Sequence, residues 1–349
     1  MSIRGCIAAF TAAALFIPWM EARPAAAASR DTAELVRLRE FPLSGTFRHV
    51  QGFAVTPDGG IVVVDHEAPA VLQFDAQGAL VRSFSHAGMR HCEISGPEAV
   101  AVSDERVVIW DQRRHHLLQF DRDGTCLADD AITTYEIDRG ALSFAGGHLV
   151  AAGDTLVGAD CAFFSIDPEQ PREIDDCHQA LGSTAMWLLY GRSYVAARPD
   201  RSYFAVPYQS LLWQAGPRGG HAEPRKVDAP SIRAVPLPEN ERQIRSTRKL
   251  YYDFYNAQTV IEGVAAVADG IVLVTGAPAG AKRKLLLAHY TDGSPSAGAT
   301  AVVGIDNAPG AYAVHVRGDG KQRVHLLVAR GTWPSLHYSV LVYELRNGH

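Results

Sequence analysis

The chain has 349 residues, of which 47% are hydrophobic and 20% are charged, and its formal net charge is −5. This composition excludes a disordered chain, and this length suffices for a large buried core. The charge balance lacks the basic excess that nucleic-acid binding usually requires, so we expect no nucleic-acid partner.

The first 28 residues have the pattern of a secretory signal peptide. The positive start MSIR precedes the apolar run GCIAAFTAAALFIPWM, and the small residues of RPAAAAS follow at the spacing that signal peptidase needs. We predict cleavage near Ala28, which leaves residues 29–349 as a secreted or periplasmic protein; an uncleaved N-terminal anchor is the alternative. No later segment reaches the roughly 18 apolar residues of a membrane helix, so we expect no transmembrane segment in the mature chain.

Two stretches after this leader repeat one pattern, with Asp65 corresponding to Asp111 and LQFDAQG at 72–78 corresponding to LQFDRDG at 118–124. In each copy, short apolar runs alternate with turns that contain Asp, Gly or Pro. The second run of each copy (IVVVD and RVVIWD) is almost continuously apolar, which is typical of a strand covered on both faces.

Further copies continue along the chain, so that six units begin near residues 50, 98, 140, 193, 262 and 311. Antiparallel units with covered inner strands and a more polar outer strand are typical of propeller blades. We therefore predict an all-β fold, a six-bladed β-propeller of four-stranded antiparallel blades. A β-sandwich with additional domains is the competing architecture.

The last unit shows only three strands, and the missing strand corresponds to ELVRLREF at 34–41. We expect it to pair with SVLVYEL at 339–345, which joins the two ends of the chain and leaves no bare sheet edge. Residues 216–260 interrupt the repeats. Within them, acids followed by bases and aromatic residues at a spacing of three to four predict a helical insertion at 239–256.

The chain has five cysteines, and Cys6 belongs to the predicted leader. An even number in an exported chain indicates disulfide bonds. CAFFSIDPEQPREIDDC is typical of a hairpin, and a register that pairs Ile166 with Arg172 places Cys161 opposite Cys177. The second bridge, Cys92–Cys126, follows by elimination, and no Cys-x-x-Cys spacing supports a zinc site instead.

Three motifs carry a resemblance to a known family: GPEAVAV at 96–102, GIVVVDHEAPAVLQFDAQGALVRSF at 60–84 and VVIWDQRRHHLLQFDRDG at 107–124. The chain resembles the NHL-repeat six-bladed β-propellers over residues 46–130, with a partial match over 257–345. That family includes ligand-binding scaffolds, lyases and calcium-dependent lactonases. The resemblance therefore implies the fold more strongly than it implies an activity.

In a propeller, the turns between the second and third strands share one end with the links between blades, and binding sites gather there around the channel. We expect Asp65, Asp111 and Asp154 to serve as acceptors for backbone N–H groups in those turns. The other side chains expected at this end are His49, Gln51, His66, Glu98, Arg113, Arg139, Arg192, Tyr194, Tyr208 and Glu262.

The sequence contains no metalloprotease, nucleophile-elbow, phosphate-loop or dinucleotide motif. We therefore expect a monomeric, exported binding or scaffolding protein that captures a peptide, glycan or protein partner at the channel mouth, under the helix at 239–256. The residues predicted to bind this ligand are Gln51, Glu98, Arg139, Tyr194, Tyr208, Arg248, Tyr251 and Glu262.

The alternative is a metal-dependent hydrolase or lyase that holds Ca²⁺ or Zn²⁺ through His49, Glu98 and Glu262. The Glu-Gly-Pro opening of the lactonases is loosely matched by Glu262-Gly263-Val264. The Asn and Asp ligands that those enzymes place in later blades are not recognisable in this chain. The same three residues could simply make the channel polar.

Overall fold

The strands of the computed structural model group into six antiparallel sheets of four strands each. The structure describes residues 33–84, 86–156, 161–178, 193–206, 211–218, 223–227, 259–279, 282–294, 296–306, 314–332 and 335–346. These ranges contain 24 strands and no helix. Accordingly, no helix in the described chain is long and apolar enough to cross a membrane. The predicted leader at 1–28 and the predicted helix at 239–256 lie outside the described residues.

Each sheet is one blade, numbered in chain order. Blades 1 and 2 contain β2 (Val50–Val55), β3 (Ile61–Asp65), β4 (Ala70–Phe74) and β5 (Leu80–Phe84), then β6 (Pro97–Val102), β7 (Arg106–Asp111), β8 (His116–Asp121) and β9 (Cys126–Ala131). Blades 3 and 4 contain β10 (Tyr135–Ala145), β11 (His148–Thr155), β12 (Phe163–Ile166) and β13 (Asp176–His178), then β14 (Tyr194–Arg198), β15 (Arg201–Ala205), β16 (Leu211–Ala215) and β17 (Glu223–Lys226). Blades 5 and 6 contain β18 (Val260–Val267), β19 (Gly270–Ala279), β20 (Lys282–Thr291) and β21 (Ala299–Asp306), then β22 (Val314–Gly318), β23 (Arg323–Thr332), β24 (Ser335–Arg346) and β1 (Glu34–Pro42).

The first strand of each blade contacts the first strands of both neighbouring blades, in the order β2, β6, β10, β14, β18, β22 and back to β2. Six four-stranded antiparallel blades in a closed ring are a β-propeller, as the repeats predict. The competing β-sandwich is therefore wrong. The innermost strands surround the central channel, and their first residues lie at one end of it.

The ring is closed by pairing the two ends of the described chain, also as predicted. β1 runs antiparallel to β24, so that Glu34 faces Arg346 and Phe41 faces Val340. Leu35 on β1 is buried among apolar residues of blades 5 and 6. Because β1 is the outermost strand of blade 6, this blade contains residues from both ends of the sequence.

Apolar side chains between neighbouring blades form the core. Val62 and Val64 of β3 pack with Val107 and Ile109 of β7, and all four are fully buried. These are the almost continuously apolar second strands of the two best-matched repeats. Their sequence follows from their position, because a blade strand between two neighbouring blades is covered on both faces.

The predicted insertion at 216–260 begins too early. β17, at Glu223–Lys226, is the outermost strand of blade 4 and pairs with β16. Its sequence, EPRK, is charged and contains Pro224, so it does not have the apolar character expected of a strand. An outermost strand tolerates proline and charge because one of its edges has no partner strand.

Both predicted disulfide bonds are present. Cys92 is joined to Cys126 with a Cα–Cα distance of 6.1 Å, and Cys161 is joined to Cys177 with a Cα–Cα distance of 5.4 Å. The first bridge attaches the link between blades 1 and 2 to the outermost strand of blade 2. The second attaches the start of β12 to β13 within blade 3.

The hairpin register predicted for the second bridge is wrong, although the bridge itself is correct. Cys177 pairs with Phe164, not with Cys161. Residues between β12 and β13 form successive turns of their own, with Gln170 donating to Asp167 O at 2.9 Å. These turns shift the register of pairing between β12 and β13. Cys161 lies just before β12 begins and forms its bond with Cys177 from there.

Candidate functional site

Two aspartates fix the loops at the end of the channel where the innermost strands begin, which we call the mouth. The Asp65 carboxylate accepts the backbone N–H groups of Arg48 at 2.7 Å and His49 at 3.0 Å. Asp111 accepts the N–H of Gly96 at 3.0 Å in the equivalent place in blade 2. The predicted structural role of these repeated aspartates is confirmed, since each ties a turn to the link that opens its own blade.

Three innermost strands carry the same bulge at the mouth. The register shifts by one residue at Gln51 in β2, at Glu98 in β6 and at Glu262 in β18. All three bulge residues are buried, with exposed fractions of 1% for Gln51, 2% for Glu98 and 6% for Glu262. A bulge leaves its extra residue outside the regular ladder and redirects the side chain. The sequence repeat places these three residues at corresponding positions, and in the structure each of these positions is the extra residue of a bulge.

Glu98 is the centre of a polar group that we call the Glu98 cluster, made of Glu98, His66, Gln112 and Arg139. Glu98 Oε1 lies 3.4 Å from Arg139 Nε and 3.7 Å from His66 Nδ1. The Gln112 amide, in the orientation that satisfies its neighbours, donates to both carboxylate oxygens at 2.6 and 3.0 Å. Blades 1, 2 and 3 each contribute a residue, so the cluster joins three blades around one buried carboxylate.

Two further histidine–carboxylate pairs lie on the same loops. His49 Nδ1 is 3.8 Å from Glu67 Oε1, and His115 Nδ1 is 3.6 Å from Glu136 Oε1. The side-chain nitrogen of Gln51 is 3.3 Å from the His49 ring nitrogens. The mouth over blades 1 to 3 therefore combines carboxylates with imidazole rings.

Arginine side chains face solvent at this mouth. The Arg139 side chain is 49% exposed although its Nε approaches the buried Glu98. Arg48 and Arg113 on the neighbouring loops are also exposed. A guanidinium that is held from one side by a carboxylate keeps its other donors available for a second carboxylate or a phosphate.

A bulge in β10 crosses the channel below the mouth. The register of β10 shifts between Ile137 and Leu142, and Gly140 within this bulge has a φ of 69°. A Cβ on Gly140 would lie 3.4 Å from Gln51 O in blade 1 and 3.4 Å from His315 Nδ1 in blade 6. The left-handed backbone at this position favours glycine, which adopts it without strain. An isolated glycine within a strand pattern, as in YEIDRGALSF, was the available sequence signal for it.

The neighbouring histidines His115 and His116 diverge, since His115 approaches Glu136 and His116 contacts Asp129. His116 hydrogen-bonds to Asp129, which also accepts the Cys92 N–H at 2.7 Å and a guanidinium N–H of Arg114 at 2.9 Å. Desolvation alone would raise the pKa of Asp129, but these hydrogen bonds outweigh it and hold the pKa below its usual value. This group stabilises the bridged link between blades 1 and 2 and is not part of the mouth.

The structure offers little for the predicted metal site. Among the described residues, only His91, Cys92 and Cys126 bring three potential metal-ligating atoms within 4.8 Å of one another. The two cysteines of that group form a disulfide bond, so their sulfurs are not thiolate ligands. The set of His49, Glu98 and Glu262 is not such a group, and the Ca²⁺ or Zn²⁺ hypothesis stays a prediction.

The remaining predicted site residues are only partly placed. Tyr194 begins β14 and is partly buried. Asp154 lies on β11, but its side chain is outside the described part of the chain. The residues that lie entirely outside the described ranges are Arg192, Tyr208, Arg248 and Tyr251. The sequence did not single out Gln112 or Glu136, because their roles depend on contacts between different blades.

Comparison with known proteins supports the fold. No protein-family model and no curated protein sequence matches this chain. The chain is similar to a putative exported protein of Bacteroides fragilis, with a TM-score of 0.57, 10% identity and coverage of 91% of this chain and 96% of that one. It is also similar to a DUF4221 family member from Bacteroides vulgatus, with a TM-score of 0.61, 9% identity and coverage of 91% and 99%. Identities this low show a shared fold only, and membership of the NHL-repeat family stays a prediction.

Proposed function

We propose that this protein is an exported β-propeller that binds an acidic peptide segment at the mouth over blades 1 to 3. Arg139 is the main anion-binding side chain in this proposal. The observation that carries it is the position of Arg139. Its side chain is half exposed at the mouth, while its Nε lies 3.4 Å from Oε1 of the buried Glu98.

The Glu98 cluster supports binding because it orients Arg139 before any ligand arrives. Gln112 and His66 surround the same carboxylate, so Glu98 is fixed within the ring of blades. A guanidinium that is already oriented loses less conformational entropy on binding, which raises the affinity for a carboxylate.

Two buried polar atoms at the mouth add to this argument. Gln51 Oε1 and His66 Nδ1 are buried and make no hydrogen bond within the described residues. Buried polar atoms in folded proteins are normally hydrogen-bonded to protein or water. A peptide N–H that donates to Gln51 Oε1 would satisfy this acceptor, which suits a peptide ligand better than a bare anion.

The disulfide bonds support an exported location. Cys92–Cys126 and Cys161–Cys177 account for every cysteine after the predicted leader. Structural disulfides persist in oxidising compartments and are rare in the cytosol. We therefore propose a secreted or periplasmic protein, in agreement with the leader sequence.

Replacing Arg139 tests the proposal. We expect Arg139→Met to weaken binding of a fluorescein-labelled decapeptide of glutamate by about tenfold or more, since a charge-assisted hydrogen bond contributes at least about 1.5 kcal/mol. Binding is measured by fluorescence anisotropy at low salt, with a glutamine decapeptide as the neutral probe. Binding of a galacturonate oligomer is measured in parallel. Tighter binding of this oligomer than of the glutamate peptide would show that the ligand is an acidic glycan and not a peptide.

Arg82→Met is the matched control. Arg82 lies on the outermost strand of blade 1, is partly exposed and pairs with Asp123 at 2.8 Å, so it resembles Arg139 in charge and exposure but not in position. We expect this variant to bind like the unaltered protein. Equal weakening in both variants, or equal binding of the glutamate and glutamine peptides, would contradict the proposal.

A further inference from the structure

A second arginine occupies the channel itself, on the far side of the β10 bulge from the mouth. Arg317 lies on β22, the innermost strand of blade 6. One terminal nitrogen donates to Gly140 O of blade 3, and the other donates to Val316 O at 2.9 Å. Because the β10 bulge crosses the channel to lie against His315 of blade 6, the Arg317 side chain meets this bulge within the channel.

The charge of Arg317 has no carboxylate partner within the described chain. Two arginines whose side chains are nearly buried do have one. Arg198, whose side chain is 7% exposed, contacts Asp292 at 2.8 Å, and Arg114, 5% exposed, contacts Asp129 at 2.9 Å. Arg317 instead has two carbonyl oxygens, which carry only partial charges.

This arrangement is costly without a counter-ion. Arg317 is only partly exposed, and the partial burial of a charge without an opposite charge is unfavourable because carbonyl groups compensate for it only in part. Desolvation lowers the pKa of Arg317 to about 10, so the side chain is still a cation at neutral pH. The channel therefore contains a positive charge that the described residues do not neutralise.

We infer that Arg317 is the centre of an anion-binding site in the channel, which takes a small carboxylate or an inorganic monoanion. The contacts with Gly140 and Val316 use two of the five N–H donors of a guanidinium, so about three remain for the anion. Such donors, partly shielded from solvent, bind an anion more strongly than they do in open water.

The anion reaches this site from the end of the channel opposite to the mouth. The Gly140 bulge lies against Gln51 and His315, near the starts of β2 and β22. Arg317 comes two residues after His315, farther from the mouth. The site therefore shares no residue with the Arg139 site, and either proposal can fail without the other.

Bromide and acetate test this inference. In crystals of the unaltered protein soaked in sodium bromide, we expect an anomalous peak in the channel beside the Arg317 guanidinium. In solution, we expect acetate to bind in the millimolar range, as measured by line broadening of its methyl resonance, and to raise the melting temperature through binding to the folded state.

Variants separate this site from general salt effects. Arg317→Gln should weaken acetate binding at least tenfold and abolish the rise in melting temperature. Arg330→Gln should preserve both, because Arg330 is an exposed arginine paired with Glu40 at 2.6 Å. If Arg317→Gln fails to fold, the bromide experiment on the unaltered protein decides alone. A channel without bromide, or acetate binding unchanged in Arg317→Gln, would overturn the inference.

Discussion

At the scale of single residues, a buried histidine in blade 6 makes the stability of this protein sensitive to acid. Desolvation is the main reason that the pKa of His325 is lowered to about 4, with Arg39 and Arg323 adding to the effect and Asp319 opposing it. His325 is only 2% exposed, on the second strand of the blade. Its neutral form is therefore the one that the fold accepts.

We predict that the free energy of unfolding decreases as the pH falls from about 6.5 to about 4. In this interval the unfolded chain protonates His325 while the native protein does not, so acid favours unfolding. The His325 contribution is roughly 3 kcal/mol at most, from the difference between the ordinary and lowered pKa values. His325→Leu should flatten this part of the curve, as measured by urea denaturation at a series of pH values.

His337→Leu is the control for this prediction. His337 lies in the same blade on the neighbouring strand and is exposed, so its replacement should leave the pH dependence between about 6.5 and 4 unchanged. An equally steep curve in His325→Leu would show that another group causes the acid sensitivity.

Residues that act within one repeat could be predicted from the sequence, and residues that act between repeats could not. The roles of Asp65 and Asp111 follow from a local pattern, since each binds backbone groups of its own blade. The meeting of Glu98 with His66 and Arg139 depends on how far each blade is rotated from the next. No spacing in the sequence encodes that rotation.

At the scale of secondary-structure elements, the disulfides attach the least regular segments to their blades. The Cys92–Cys126 bridge spans 34 residues and the Cys161–Cys177 bridge spans 16. A link of this kind stabilises the folded state mainly by restricting the unfolded chain, and more so for the longer loop.

We predict that replacing both cysteines of a bridge by serine lowers the free energy of unfolding by about 4 kcal/mol for Cys92–Cys126 and by about 3 kcal/mol for Cys161–Cys177. The measurement is urea denaturation of each double variant beside the unaltered protein under non-reducing conditions. Losses below about 1 kcal/mol would show that the loops are already ordered in the unfolded state.

The accuracy of the sequence predictions differed among elements for physical reasons. Inner strands were recognised because burial on both faces requires a continuous apolar run, as in β3 and β7. The outermost strand β17 was missed because one free edge allows the charged sequence EPRK. The register predicted for the Cys161–Cys177 hairpin was wrong because the residues between β12 and β13 form additional turns. Such turns leave no periodic pattern in the sequence.

At the scale of the whole molecule, the repeat determines the architecture and its irregularities determine the candidate sites. The repetition of one four-stranded unit along the chain predicts a ring of blades. The closure of the ring by β1 follows from the strand that is missing in the last unit. The polar mouth arises where copies differ, with Gln51 in one bulge and Glu98 in the next. The channel is crossed where β10 departs from the pattern at Gly140.

The most direct measurement of the central claim is hydrogen–deuterium exchange with and without the glutamate decapeptide. The account predicts slower exchange at the mouth of blades 1 to 3 and unchanged exchange at the opposite turns, at residues 57–60, 75–79 and 121–125. Protection confined to those turns or to the outermost strands would contradict it. The segments predicted to be protected are 48–52, 65–68, 95–99, 111–116 and 135–141.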